Sequence, residues 1–182
     1  MAATVEIHEW TTVGVSVDKT AGVVRFKNAN NTTVDLINPL VIPGSGQEYS
    51  YEKWLRLRIT DEGGFSQIDN LQVYADGNND FGTGVLAWYA ITGTFVVPVV
   101  PDESADPPQS PAAGSPVEDM ADLFGLTSGS RGDLDAINTG PFTDGSPAEH
   151  IGDFIVIVME VNSTAGAGVT PSEVLTFSYD EI

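Results

Sequence analysis

The chain has 182 residues, 41% of them hydrophobic and only 18% charged. That is enough apolar chain for one buried core and the wrong composition for an unfolded one. The absence of cysteine excludes disulfides, zinc–thiolate centres and thiol nucleophiles, and a net charge of −19 sets the chain against phosphate backbones, so nucleic acid is not an expected partner.

The charge is unevenly placed. Residues 1–58 hold six cations (Lys19, Arg25, Lys27, Lys53, Arg56 and Arg58) against six carboxylates, whereas residues 59–182 hold one, Arg131, against twenty. The plainer reading is a solubility device. The sharper one is a neutral docking region joined to an acidic, solvent-facing one.

Taken in chain order, the opening "MAATVEIHEW" has neither the basic start nor the apolar centre of a secretion signal. No later apolar run is long enough to span a bilayer. The expectation is a soluble protein made in the cytoplasm, without a membrane partner. Residues 1–10 read as an N-terminal strand or arm, able to add to the sheet edge of a neighbour.

Strand-like patterns then recur at 5–10, 13–17, 23–27, 33–37, 71–75, 85–91, 94–97, 154–161 and 173–179, separated by Gly, Asn, Asp and Pro. The clearest is 49–60, "YSYEKWLRLRIT", where Tyr51, Leu55, Leu57 and Ile59 alternate with Trp54, Arg56, Arg58 and Thr60. "FIVIVME" at 154–160 is apolar on both faces, which predicts a strand in the middle of a sheet.

Six of the eleven prolines fall in 98–116, which predicts an exposed, extended loop. The following "SPVEDMADLFG" predicts a short α-helix at 116–124. Ser115 would be its N-cap, Pro116 and Glu118 its first turn, Val117, Met120, Ala121 and Phe124 its apolar face, and Gly125 its stop. Together these elements predict a single domain over 1–182, an all-β antiparallel sandwich of jelly-roll or immunoglobulin-like order.

Catalytic signatures are missing. There is no phosphate-binding loop, no dinucleotide fingerprint and no nucleophile elbow. Among twenty-six carboxylates no pair stands out as a glycosidase acid and base. The two histidines, His8 and His150, are far apart in sequence, and His150 near Glu149 and Asp153 reads as a surface or capping residue. Neither an enzyme nor a cofactor is expected.

"DGNNDFGTG" at 76–84 places Asp76, Asn78 and Asp80 as the first three ligands of a calcium loop. The sixth position is Phe81 instead of glycine and the twelfth is Ala87 instead of glutamate, so a plain turn is the simpler reading. Arg131-Gly132-Asp133 matches an adhesion tripeptide, with a local turn as the simpler reading. Trp54, Arg56 and Arg58 share one face of one strand and, with Trp10, are the candidate partner-binding residues, since Trp and Arg are enriched at interface hot spots. The competing reading buries Trp54 under neighbouring chain and pairs the arginines with local acids.

The segments "RFKNANNTTVDLINPLVIP", "SYEKWLRLRIT", "INTGPF" and "IGDFIVIVMEV…TPSEVLTFSYDEI" resemble virion structural proteins of tailed bacteriophages, most closely head-decoration (cement) proteins. The resemblance implies a β-rich homo-oligomer on the outer surface of the virion capsid, with the major capsid protein and copies of itself as partners. It brings no catalytic residue. The alternative is a tail- or fibre-associated module that recognises host carbohydrate through aromatic residues such as Trp88 and Tyr89.

Overall fold

The computed structural model of the chain describes residues 3–61, 63–64, 66–102, 106–110, 118–143 and 149–182. Its strands are β1 (Thr4–Thr12), β2 (Val15–Asp18), β3 (Gln47–Tyr49), β4 (Lys53–Asp61), β5 (Ile68–Tyr74), β6 (Val85–Thr92), β7 (Gln109–Ser110), β8 (Glu118–Asp119), β9 (Ala121–Asp122), β10 (Gly132–Asp133), β11 (Glu149–Asn162) and β12 (Thr176–Glu181). Every pairing is antiparallel. A large sheet runs β2-β1-β4-β11-β6-β9, with β3 also paired to β11, and a small sheet runs β10-β5-β12. The all-β antiparallel sandwich expected from the sequence is the fold observed.

β11 is the spine. It lies between β4 and β6 and is buried from Ile151 to Val161. Period-two alternation sends Ile155, Ile157, Met159 and Val161 into an inner core with Leu55, Leu57, Ile59, Leu71 and Val73. Phe154, Val156 and Val158 go to a separate outer core with Tyr49, Trp54 and Met120. Between Ile151 (opposite Leu57) and Ile155 (opposite Leu55) the register shifts, so four steps of β11 match two of β4. Gly152 forms this bulge at φ +68°. The bulge turns Asp153 towards the 134–138 loop, where its carboxylate accepts from the N–H groups of Ile137 and Asn138, each at 2.9 Å.

The outer core is closed by the chain after β6. Phe95, Val96 and Val100 pack on it, and Pro98, Pro101 and Pro108 are buried. The proline-rich stretch is therefore a cover, not an exposed loop, as far as it is described; 103–105 and 111–117 lie outside the described residues. Proline suits this place because it brings no N–H that would go unsatisfied against an apolar face.

The helix expected at 116–124 is not formed by its described part. Residues 118–119 and 121–122 are the strands β8 and β9, followed by a single 3-10 turn at Leu123–Gly125 that Asp122 caps. Met120 explains the outcome: its side chain is 2% exposed in the outer core and its N–H bonds the carbonyl of Pro108. Two turns of helix are marginal alone, and pairing with β6 and β7 outweighs a good local cap. The strands expected at 23–27, 33–37 and 94–97 are also absent, for these segments join no ladder. Residues 1–10 form, where described, the strand of that expectation: β1 pairs with β4 over Thr4–Trp10 and with β2 from His8 onward.

Glu52 fastens the cover to the sheet. Its Oε2 accepts from Trp54 Nε1 at 3.0 Å and from the Val99 N–H at 3.2 Å, while its Oε1 has no hydrogen-bond partner among the described residues. Burial pushes its carboxyl up to about 7 from an ordinary 4.5, against the two hydrogen bonds that favour the anion. A raised acid gives stability that is full below pH 4.5 and is lost as pH climbs to about 7. Each pH unit is about 1.4 kcal/mol, so wild type should lose about 3 kcal/mol across that window through this group. Denaturant midpoints at acid and alkaline pH are expected to show the fall, and Glu52→Gln is expected to flatten it.

Candidate functional site

The second layer of the sandwich is half sheet and half irregular chain. Where β5 and β12 stop, the inner face of the large sheet around Leu55, Ile157 and Met159 is roofed only by segments near 22–42 and 165–177, leaving an open trough of about 840 Å³. Its floor and walls are mostly aliphatic and aromatic. Its rim exposes large apolar side chains: Leu36 is 68% exposed, Ile37 66%, Val41 60%, and Val169 and Val174 71% each, and these numbers set the rim apart from an ordinary covered core. The charged lining is Lys19, Arg25 and Lys27 against Asp35 and Glu173, three cations to two carboxylates in a chain that carries −19 overall. The trough face is thus apolar and nearly neutral, and the surplus acidity lies elsewhere.

The segment 28–35 on the trough's flank is held by lysines instead of a ladder. Lys53 Nζ donates to the Asn31 carbonyl at 2.8 Å, Lys19 Nζ to that of Thr32 at 2.7 Å, and Lys27 Nζ to that of Thr33 at 2.9 Å. Two carboxylates balance them. Glu9 lies 2.8 Å from Lys53 Nζ and 3.4 Å from Lys19 Nζ, and Asp35 lies 2.9 Å from Lys27 Nζ. Glu9 and Lys53 are buried in the sheet, and burial pulls the Lys53 ammonium below its ordinary range although Glu9 pushes the other way. Three of the six cations of the first third are therefore spent inside the chain.

The four residues expected to contact a partner lie on the outer face of the large sheet. Trp54 is wholly buried there, edge-on to Phe95 and Phe154, so it is packed under the cover instead of offered to a partner. Arg56 is half-buried, with its guanidinium 4.8 Å from the Phe154 ring centre and its Nε donating to the Gly152 carbonyl at 2.9 Å. Trp10 and Arg58 are also half-buried. The Trp10 Nε1 and Arg58 Nε atoms are buried without a hydrogen-bond partner among the described residues.

Next to them the fold joins what the sequence holds apart. His8 and His150 meet with ring centres 5.0 Å apart, and Trp10 stacks edge-on to His150 at 4.8 Å. Ser16 Oγ sits 2.9 Å from His8 Nδ1 and 3.3 Å from His150 Nε2. Burial first, then the neighbouring His8, Arg58 and Arg56, lowers His150 to about 4, so it is neutral at physiological pH. The pairing rests on β1 and β11 both lying against β4, a long-range register invisible in either segment alone.

Asp76, Asn78 and Asp80 stand in the connection between β5 and β6. Asp76 Oδ1 accepts from the Asn78 N–H at 2.8 Å, and the Asp80 N–H bonds Glu173. Gly77, Gly82 and Gly84 take positive φ. The Asp76–Asn78 bond is the local bond of a turn, and the bond to Glu173 ties that turn to distant chain. The Arg131-Gly132-Asp133 tripeptide is built into the fold: Gly132 and Asp133 form β10, and Arg131 lies over the Tyr74 ring while bonding Gln72 and the Ser128 carbonyl. Trp88 and Tyr89 project from opposite faces of β6, Trp88 towards the outer core and Tyr89 towards the inner, so they make no shared platform for a sugar.

The trough rim was missed by sequence reasoning, which took Leu36, Ile37 and Val174 for strand residues and assigned Val41 and Val169 to no element. One signal was present: "VDLINPLVIP" at 34–43 packs apolar residues around Asn38 and Pro39 without strict alternation, a poor ladder strand but a good apolar lip. Comparison of the chain with protein-family models, curated proteins and solved structures returns no match.

Proposed function

We propose that this chain is a non-catalytic assembly protein that decorates and braces the outer surface of a tailed-phage capsid as a homo-oligomer. The trough face is its docking side, on the major capsid protein and on copies of itself, and the acidic remainder faces solvent. One observation carries the reading: six large, exposed apolar residues, Val23, Leu36, Ile37, Val41, Val169 and Val174, line an open, nearly neutral trough in a strongly acidic chain. Contiguous apolar surface of that kind marks a contact face. Like-charge repulsion opposes self-association through the surfaces that residues 59–182 contribute outside the trough, where nearly all the net charge lies. The opposite faces taken by Trp88 and Tyr89 weigh against the carbohydrate-binding alternative.

The test mixes purified protein with heads lacking it, follows co-sedimentation, and measures the free protein's mass by light scattering. Wild type is expected to be oligomeric and to bind heads. Leu36→Asp and Val174→Asp should each weaken association at least tenfold, since burying such a side chain contributes about 1.5–3 kcal/mol and 1.4 kcal/mol is a factor of ten. A monomer that ignores capsids, or variants that bind like wild type, would overturn the proposal.

A further inference from the structure

The outer face of the β1–β2 hairpin carries a second feature, independent of the trough. Alternation along β1 places Glu6 and His8 on the same face two residues apart, and the β1–β2 register sets Asp18 directly across from His8. One ligand atom from each of these three residues lies within 4.8 Å of the others. Small rotations of the two acid side chains close that spread onto one ion with bonds of about 2.0–2.2 Å.

We propose that Glu6, His8 and Asp18 bind a divalent transition-metal ion of the zinc type. The imidazole is held in place for it. His8 is 4% exposed, its Nδ1 is tied to Ser16 Oγ at 2.9 Å, and its Nε2 points at Glu6 Oε2 2.9 Å away. A histidine ligand fixed through its far nitrogen by a hydrogen-bonding neighbour is the recurring arrangement at metal sites, and Ser16 is itself braced by His150. Asp18 is oriented too: both donors of Thr20 fall on its Oδ1, at 2.8 and 2.6 Å, and they hold its carboxyl below the usual range.

Charge and donor type decide which ion fits. Two carboxylates and an imidazole offer one nitrogen and two oxygens, with room for water in a fourth position. That set suits Zn²⁺ and its neighbours Co²⁺ and Ni²⁺ and is too poor in oxygen for Ca²⁺. Of the two arginines on this face, Arg56 is spent, for it lies on Phe154 and bonds the Gly152 carbonyl, and Arg58, opposite Glu6 in the β1–β4 register, makes no ion pair with Glu6 or Asp18. Because β2 is the edge strand of the large sheet, an ion joining Asp18 to Glu6 and His8 would stitch that edge to β1.

The experiment uses the full chain, stripped with a chelator and titrated with zinc chloride by calorimetry, with thermal unfolding followed in parallel. One saturable Zn²⁺ per chain is expected, with a Tm rise that excess chelator reverses. Glu6→Gln and Asp18→Asn should each weaken binding at least tenfold, the lower end of what even an outer-shell loss costs a metal site. Both positions are at least partly exposed, so the metal-free Tm should hardly move. Cobalt substitution adds a spectroscopic readout: the visible bands of bound Co²⁺ should appear with wild type and vanish in His8→Gln. If His8→Gln fails to fold, the two acid variants still decide. Absence of saturable binding up to millimolar zinc, or unchanged binding in the Glu6→Gln/Asp18→Asn double variant, would overturn the proposal.

Discussion

Glu9→Ala is expected to cost about 3–5 kcal/mol of unfolding free energy, the usual consequence of leaving a buried charge without its partner. Glu9 is 1% exposed and faces two ammonium groups, Lys53 at 2.8 Å and Lys19 at 3.4 Å. Alanine would remove the only carboxylate that joins them among the described residues. The pair itself is another matter, because two ions taken out of water recover their desolvation cost only through each other. Glu9→Met with Lys53→Met should therefore cost much less than Glu9→Ala alone, and a double variant as damaged as the single would refute the account.

The pH dependence gives a second check. Burial lowers the folded-state Lys53 ammonium, so its charge is a burden below its folded pKa and the burden lifts as pH rises towards 10.5. Without Glu9 the ammonium falls further, and the deficit of Glu9→Ala measured by urea denaturation should narrow between neutral and alkaline pH. The effect should reach the trough as well, since Lys53 and Lys19 hold the Asn31 and Thr32 carbonyls on its flank. If the proposed function holds, capsid binding weakens in step with stability.

Gly152→Ala is expected to be of comparable size. The position sits at φ +68°, where a side chain costs about 1–2 kcal/mol. A Cβ there would also meet the Leu134 carbonyl oxygen at 2.6 Å and Leu71 Cδ2 at 2.7 Å. Forced overpacking adds about 1–3 kcal/mol, for a total of about 2–5. The oxygen is backbone and cannot swing aside, so relief means moving the 134–138 loop that Asp153 anchors. Gly125→Ala is the control: nothing lies within 4 Å of its added Cβ, and its effect should stay within about 0.5 kcal/mol. Equal thermal shifts in the two variants would show that the bulge tolerates a side chain.

The sheet was legible where a pattern had one physical cause. "FIVIVME" is apolar on both faces because β11 separates two cores, and "WLRLRIT" alternates because β4 has an aliphatic inner face and an outer one of Trp and Arg. Legibility failed where distant chain supplied the deciding energy. The sequence of 115–124 carries a good cap and helical spacing, yet Met120 gains more in the outer core. Segments 23–27 and 33–37 look like strands but join no ladder, and between them lysine side chains take the carbonyls of Asn31, Thr32 and Thr33. Any carbonyl can accept from a lysine, so no residue pattern announces that exchange. The His8–His150 contact is hidden for the same reason, being fixed only through the shared neighbour β4.

The placement of β11 has a consequence for how the chain comes into being. β3, β4 and β6 all pair with a strand that begins at residue 149. On the ribosome those segments emerge long before the partner that covers their edges, and their apolar faces must wait. Pairings of such long sequence separation close slowly. For most of its synthesis the nascent polypeptide is a set of unfinished edges, and translation of one late stretch turns it into a sheet.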